Sequence, residues 1–234
     1  MALPDAATDT TRRRQARAEA TRLALLDAAV EEFAAHGFEG ASTRAIAARA
    51  GTHQPQINYH FDSKEALWRA AVDRLFDRLD ELLGVTPDAG LDPAVATRDG
   101  FAAMIRAFVR AVARLPELNR IMVQEATVDS DRLAWIVDRH TRPRYAMLAG
   151  AWCDLRDAGA VPRLDETVLY YSMVGGASLA YVNAAEARLL GVDPIDDAFV
   201  EAHAEALVTM MLGPDPDPPV RRPHDRTAAE QRSD

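Results

Sequence analysis

The sequence has a single cysteine, Cys153, so no internal disulfide framework can hold the fold together. A lone thiol inside an apolar run is typical of a protein from a reducing cytoplasm. No apolar run approaches the roughly 20 residues that a membrane-spanning helix needs. The N-terminal arginines are not followed by the apolar segment of a signal peptide. We therefore predict a cytoplasmic protein with no membrane partner.

Sustained alternation of apolar and polar residues, the pattern of a half-buried strand, is also missing. Apolar residues recur instead at helical spacing, as they do at Leu23, Leu26, Val30 and Phe33. The hydrophobic fraction of 48% is enough for a packed core. Together these features predict an all-α protein.

The chain lacks a net positive charge, because its formal net charge at pH 7 is -9. Taken alone, this sum disfavours binding to nucleic acid, whose phosphates would repel the protein. The charges are unevenly distributed, however, since arginines dominate residues 12–22 and the later chain is rich in Asp and Glu. The N-terminal arginines form either a solvated arm or an arm that touches the phosphates or the minor groove of DNA.

Changes in composition and helical pattern divide the chain. Residues 1–13 are expected to form a flexible arm, 14–62 a three-helix domain, 63–212 a larger helical domain and 213–234 a disordered proline-rich tail. In the first domain, helices are expected to end at Gly37 and Gly51, while Thr52 and Asp62 cap the next two. Later helical patterns cover about 98–115, 116–128, 131–158 with a break near Pro143, 165–190 and 196–212.

Two short helices joined by a glycine turn have the composition of a helix-turn-helix. The first is apolar on one face. The second is rich in amide and imidazole side chains, and Ile57 and Phe61 are its predicted inward anchors. Gln54 and Gln56 have the donors and acceptors to read base edges in the major groove of DNA.

Two histidines of this segment, His53 and His60, have the spacing of a possible metal-ligand pair. No third ligand accompanies them at a fitting spacing. We therefore predict no metal and interpret both imidazoles as solvent-facing donors to DNA.

The stretch TRAIAARAG, followed by THQPQINYHFDSKEAL, resembles the DNA-binding domain of the TetR family of bacterial transcriptional regulators over about residues 14–68. The resemblance implies a homodimer that binds double-stranded DNA. Asn58 stands where many members have a tyrosine, so a phosphate contact is either lost there or replaced by a base contact. The DNA-contacting positions that we predict are Thr43, Arg44, His53, Gln54, Gln56, Asn58, Tyr59, His60 and Lys64.

Beyond that domain, apolar and aromatic side chains are available to line a cavity between helices, although core packing is the default for most of them. Glu125 stands out as a charged residue within the apolar segment 121–126. We expect it to have one of three roles: it pairs with an arginine, it binds a polar group of a ligand, or it lies on a solvated face. The candidate lining of a small-molecule effector site comprises Met104, Phe108, Met122, Glu125, Trp135, Met147, Trp152, Tyr170 and Met173.

Two adjacent glycines, Gly175 and Gly176, interrupt a helical pattern at a cost of roughly 1 kcal/mol each relative to alanine. Close approach of another helix would offset this cost. The family resemblance implies that the last two long helices pair with their counterparts in a second copy of the chain. The candidate dimer residues are Leu169, Val174, Gly175, Leu179, Val182, Leu207 and Met211.

These features lead to the hypothesis of a homodimeric transcriptional regulator, most often a repressor in this family, that a small molecule releases from a palindromic operator. No cofactor is expected. One alternative is an α-helical enzyme, although the sequence shows no nucleophile-base set and no phosphate-binding glycine loop. The other is a DNA-binding protein that responds to a protein partner and leaves its cavity unused.

Overall fold

A computed structural model of the chain describes residues 6–85 and 92–214, and all regular structure within these ranges is helical. This finding confirms the all-α prediction. The predicted arm and the predicted tail fall partly outside the described residues. The α-helices are α1 (Ala6–Gly40), α2 (Thr43–Arg49), α3 (Pro55–His60), α4 (Lys64–Leu83), α5 (Arg98–Arg114), α6 (Pro116–Glu125), α7 (Asp131–Ile136), α8 (Arg142–Asp157), α9 (Glu166–Val182), α10 (Ala184–Leu189) and α11 (Asp197–Leu212), with a 3-10 turn at Pro93–Ala96 and a π-helical turn at Val137–Thr141.

The first helix is longer than expected and bends near its end. It begins at Ala6, so the boundary predicted at residue 14 lies inside a helix. Gly37 has φ 68° and ψ 176°, which breaks the helical path. Glycine suits this position because a positive φ costs it no steric strain. The predicted end of the helix is therefore a kink, after which residues 38–40 run in a new direction.

Two helix caps differ from their predictions. Gln54 occupies the N-cap position of α3 and makes no side-chain cap, so Thr52 does not cap this helix. Ser63, and not Asp62, caps α4, because its hydroxyl accepts a hydrogen bond of 3.0 Å from the Ala66 N–H. The extended backbone of Ser63 places its oxygen within reach of the first turn, as an N-cap requires.

The N-terminal core is formed by α1 to α4 together with parts of α5, α6 and α7. Ile57 and Phe61 are buried in it, which confirms them as inward anchors. Trp68 of α4 is fully buried, and its ring lies 6.1 Å from that of Phe38 and 5.8 Å from that of Trp135. This core therefore joins the predicted DNA-binding helices to the first helices of the larger part.

A second core lies among α5, α8, α9 and α11. Helices α5 and α11 pack along each other and are joined at their exposed edge by two forked ion pairs. Arg106 pairs with Glu205 and Arg110 with Glu201, each through two hydrogen bonds of 2.5–2.9 Å. The large side chains that are fully buried in this core are Phe101, Ile105, Trp152, Leu169, Tyr181 and Leu207.

Two of the long helical patterns are interrupted. The pattern over 131–158 is divided by the π-helical turn, in which the Arg142 N–H donates to the Val137 carbonyl. Pro143, predicted as the site of a break, lies in the first turn of α8, directly after this π-helical turn. The pattern over 165–190 is divided at Asn183 into α9 and α10.

One arginine fastens the end of the last helix to the rest of the second core. The Arg98 guanidinium donates to the carbonyl oxygens of Ala160, Leu212, Gly213 and Pro214 at 2.7–3.0 Å. Three of these carbonyls lie at the C-terminus of α11, where unpaired carbonyls and the helix dipole both favour a cation.

We expect Arg98→Met to lower the free energy of unfolding by about 2 kcal/mol, because several charge-assisted hydrogen bonds are lost at once. Urea unfolding followed by circular dichroism measures the change. Arg163→Met is the matched control, since Arg163 is exposed and makes no hydrogen bond or ion pair within the described residues. Equal stability of the two variants would contradict the fastening role of Arg98.

Candidate nucleic-acid interface

The two short helices α2 and α3 meet at a tight turn around Gly51. The Thr52 N–H donates to the Ala47 carbonyl at 2.9 Å, and Gly51 has a φ of 65°. Ile46 of α2 and Ile57 of α3 are both buried in the N-terminal core. Because each helix turns its apolar side inward, its polar side chains are presented to solvent.

The amide side chains of α3 lie on its outer side. Gln54, Gln56 and Asn58 are exposed, and Tyr59 is the most exposed aromatic residue of this segment. A helix that presents several amides and a phenol to solvent can place donors and acceptors against base edges. The structure therefore brings together the residues that the sequence predicted for the reading helix.

The remaining predicted contacts surround α3. Thr43 begins α2, and its hydroxyl accepts a hydrogen bond of 3.3 Å from the Gln54 side-chain amide, which links the two helices. Arg44 and His53 are exposed. His60 is half-buried, with its ring 4.9 Å from that of Tyr59 in an edge-on arrangement.

Lys64 stands at the start of α4. Its Nζ donates to the Glu39 carbonyl at 3.3 Å and lies 4.9 Å from the centre of the Phe38 ring. Phe38 and Glu39 were missed by the sequence interpretation, because they follow the kink in α1 and are distant from Lys64 in the chain. Their contacts hold the ammonium group against the end of α1, while the backbone of Lys64 begins the first turn of α4, where unpaired N–H groups favour a phosphate.

The sequence of this segment matches that of a known family. Residues 25–71, which include all of α2 and α3, match the model of a family described as "Bacterial regulatory proteins, tetR family". The chain therefore contains a segment that belongs to this family. Its N-terminal helix-turn-helix domain and larger C-terminal helical domain agree with the fold expected from the resemblance.

Two curated relatives are transcriptional regulators. The chain is 30% identical over 125 residues to the HTH-type transcriptional regulator RutR of Escherichia coli (strain K12), a match that covers 51% of this chain and 54% of RutR. It is 35% identical over 81 residues to the HTH-type transcriptional regulator SrpR of Pseudomonas putida, covering 35% of this chain and 37% of SrpR. The chain thus matches about half the length of RutR and a smaller share of SrpR.

Solved structures show the same fold over more of the chain. AibR, crystallised with isovaleryl coenzyme A and operator DNA, has a TM-score of 0.63 and 22% identity, and the match covers 83% of this chain and 99% of AibR. FadR from Bacillus subtilis, in complex with stearoyl-CoA, has a TM-score of 0.55 and 18% identity, with 80% of this chain and 97% of FadR covered. At these identities the likeness concerns the fold.

The residues predicted to line an effector cavity are divided between the two cores. Trp152 and Met173 are buried in the C-terminal core, and the Trp152 indole N–H donates to the Leu164 carbonyl at 3.0 Å. Trp135 packs on Trp68 of the N-terminal core. The half-buried members are Met104, Phe108, Met122, Met147 and Tyr170. Burial raises the pKa of the Tyr170 phenol, since it disfavours the charged form.

Glu125 takes the first of its three predicted roles. Its carboxylate is 7% exposed and accepts hydrogen bonds of 3.3 and 3.1 Å from Nε of Arg132. Both residues line a cleft of about 360 Å³ between the end of α1 and the junction of α6 with α7. Glu125 is therefore a buried carboxylate paired with an arginine.

The predicted dimer residues occupy different sides of α9 and α11. Leu169 and Leu207 are fully buried within the subunit, so they are not available to a second copy. Gly175 and Leu179 are exposed, while Val174, Val182 and Met211 are half-buried. The sequence interpretation missed three other exposed apolar side chains on these helices, which are Val168, Tyr171 and Met210.

The described residues contain no helix that combines the length and the apolar character needed to cross a membrane. In the same part of the chain, no group of three or more His, Cys, Asp or Glu side chains is placed to hold a metal ion.

Proposed function

We propose that this protein is a homodimeric, ligand-responsive transcriptional regulator that binds DNA through α2 and α3. The observation that supports this most strongly is the exposed amide face of α3, set on a helix-turn-helix of the tetR family. In a dimer, two copies of α3 would enter successive major grooves of a palindromic site, with half-sites about 10 base pairs apart or somewhat more.

In this proposal the side chains have different roles. Gln54 and Gln56 read base edges, and Asn58 either reads a base or leaves a phosphate uncontacted. Tyr59 and Lys64 bind phosphates, which position the protein without reading sequence. The remaining contacts are made by Thr43, Arg44, His53 and His60.

The larger part of the chain would bind the effector and hold the dimer together. A small molecule among its helices would favour a state in which the two copies of α3 have the wrong spacing for DNA, and this makes a repressor the expected regulator. The half-buried side chains Met104, Phe108 and Tyr170 are available for such a site. The division at residue 62 remains a prediction, since α1 packs on both α4 and α6.

The test is selection of bound duplexes from a random DNA pool at near-physiological salt, followed by competition of the selected site with a metabolite library. Enrichment of a palindrome, and its release by one class of compound, are the expected results. If no sequence is enriched, α3 does not read DNA. A palindrome that no metabolite releases would favour control by a protein partner.

We expect Gln54→Ala and Lys64→Ala to affect the selected site differently. Loss of Gln54 should relax the base preference at one position by about 1–3 kcal/mol. Loss of Lys64 should weaken all sequences alike and lower the slope of log K against log salt by about 1. Binding curves by fluorescence anisotropy at several salt concentrations measure both effects.

Arg163→Ala is the control for Lys64→Ala, because it also removes one positive charge but from an exposed position in the C-terminal part. Its salt slope should equal that of the wild type. Uniform losses on every sequence for both Gln54→Ala and Lys64→Ala would contradict the division between base reading and phosphate binding.

A further inference from the structure

The Phe38 ring is shared by two cations from different helices. The guanidinium carbon of Arg132, at the start of α7, lies 4.0 Å from the ring centre. The ammonium nitrogen of Lys64, at the start of α4, lies 4.9 Å from the same centre. Both distances are within the roughly 6 Å at which a cation is attracted to an aromatic face. Phe38 thus connects a helix of the larger part to a proposed DNA contact.

The ring itself is held firmly. Phe38 follows the kink at Gly37, and its ring stacks on Phe33 with centres 6.1 Å apart. On another side it meets the edge of Trp68 at 6.1 Å. Because it packs against two buried aromatic side chains, the Phe38 ring has a defined position relative to both cations.

Arg132 is fixed at this ring by a buried partner. Its Nε donates to both carboxylate oxygens of Glu125, and its Nη1 lies 3.7 Å from a carboxylate oxygen of Glu39. The Glu125 carboxylate is nearly inaccessible to water, so an arginine that moved away would leave a buried charge without compensation. The position of the guanidinium is therefore strongly determined by α6.

Glu39, the residue after Phe38, also contacts both cations. Glu39 offers its backbone carbonyl to Lys64 and its side chain to Arg132. A shift of Arg132 would consequently disturb Glu39, whose carbonyl accepts from Lys64, and would remove one of the two cations that contact the Phe38 ring. The cleft of about 360 Å³ beside Arg132 borders all of these groups except Lys64, and it separates the end of α1 from α6 and α7.

We infer that Arg132 is a positioning residue for Lys64: by contacting the Phe38 ring and Glu39, it fixes the ammonium group against the end of α1. Its importance for DNA binding rests on the proposed phosphate contact of Lys64. The contact makes the phosphate affinity of α4 depend on the arrangement of α6 and α7 in the larger part of the chain.

The first experiment observes Lys64 without DNA. Lys64 is the only lysine in the sequence, so reductive methylation with ¹³C-formaldehyde labels this side chain and the N-terminal amine, and Lys64→Arg assigns the signals. Dimethylation keeps the positive charge. In the full-length wild type, the Phe38 ring current should displace the Lys64 methyl resonance from that of free dimethyllysine.

The decisive variant is the double substitution Glu125→Met/Arg132→Met, because Arg132→Met alone would leave a buried carboxylate unpaired and destabilise the fold. In the double variant the methyl resonance should move towards the position of free dimethyllysine. In the single variant Arg132→Lys, which keeps a cation over the ring, the methyl resonance should stay closer to its wild-type position than in the double variant. A resonance that is unchanged in a folded double variant would overturn the inference.

The second experiment measures DNA binding as a function of salt with unmethylated protein. The double variant should lower the salt slope by up to about 1, as Lys64→Ala does, and adding Lys64→Ala to it should cause no further decrease. Additive decreases would overturn the inference, because the two residues would then act independently. If the wild type binds no DNA, the proposed function is wrong, whereas the methyl resonance still decides whether Arg132 positions Lys64.

Discussion

Replacing Arg144 by methionine is expected to lower the free energy of unfolding by about 3 kcal/mol or more. The Arg144 guanidinium forms a two-pronged pair with Asp80, whose residue exposure is only 7%, and one of the two hydrogen bonds measures 3.2 Å. It also donates to the His140 carbonyl at 2.9 Å and lies 4.8 Å from the Phe76 ring centre. The substitution would leave the Asp80 carboxylate buried without a partner.

The chain offers a matched control for this prediction. Arg142 pairs with Asp138 at 2.7 Å, but both side chains are about 70% exposed, so Arg142→Met should change stability by less than about 1 kcal/mol. The double variant Asp80→Leu/Arg144→Met removes the stranded charge and should recover most of the loss. Urea unfolding gives all these free energies. A double variant as unstable as Arg144→Met would show that lost packing, and not the unpaired carboxylate, is the cause.

The Asp80–Arg144 pair is part of a longer contact along α4. Asp73 lies 2.6 Å from Nε of Arg139 and 2.9 Å from Nε2 of His140, and the His140 ring stacks on Phe76 with centres 4.1 Å apart. Burial lowers the pKa of His140, since it disfavours the protonated imidazole. The π-helical turn and the start of α8 thus hold α4 at two carboxylates seven residues apart.

This arrangement gives α4 a defined role in the fold. The helix begins at Lys64, which we propose as a phosphate contact, and continues to the ion pairs that join it to the larger part of the chain. Two sets of contacts therefore connect the helices after Ser130 to the proposed DNA-binding surface. One is the set of carboxylates along α4, and the other is the contact of Arg132 with Phe38.

The helix-turn-helix was predictable because its signals are local. Glycine at the turn, apolar residues at inward positions and amides between them specify two short helices with a known relative placement. The burial of Ile57 and Phe61 and the exposure of Gln54 and Gln56 follow from that pattern. The cap at Ser63 was missed because Asp62 and Ser63 are both good capping residues, and only the backbone geometry selects between them.

The larger part was predicted less well because its determinants are distant in the chain. Helices α9 and α11 are apolar on most sides, so helical spacing does not reveal that Leu169 and Leu207 face the subunit core while Leu179 faces outward. The partners of Asp80 and Glu125 were also not predictable, since a carboxylate in an apolar segment indicates that an arginine is needed but not which one.

Replacing Leu179 by glutamate is expected to separate the proposed dimer and to weaken operator binding by roughly 100-fold or more. Leu179 is 62% exposed in the single subunit, and Val168 and Tyr171 of α9 and Met210 of α11 are also exposed. Exposed large apolar side chains on these two helices are candidates for contact with a second copy. A glutamate at position 179 would bury a carboxylate there, and each separated subunit could occupy one half-site only.

Sedimentation equilibrium over a range of protein concentrations measures the dissociation of the dimer, and anisotropy with the selected palindrome measures the loss of binding. Val123→Glu is the control, because Val123 is exposed on α6 and the substitution likewise replaces an aliphatic side chain by a carboxylate, away from α9 and α11. It should remain a dimer. If Leu179→Glu also remains a dimer, the two copies associate through another surface, and α9 must be covered in some other way. A monomeric variant that keeps full affinity for the palindrome would instead show that α3 reads each half-site without help from a second copy.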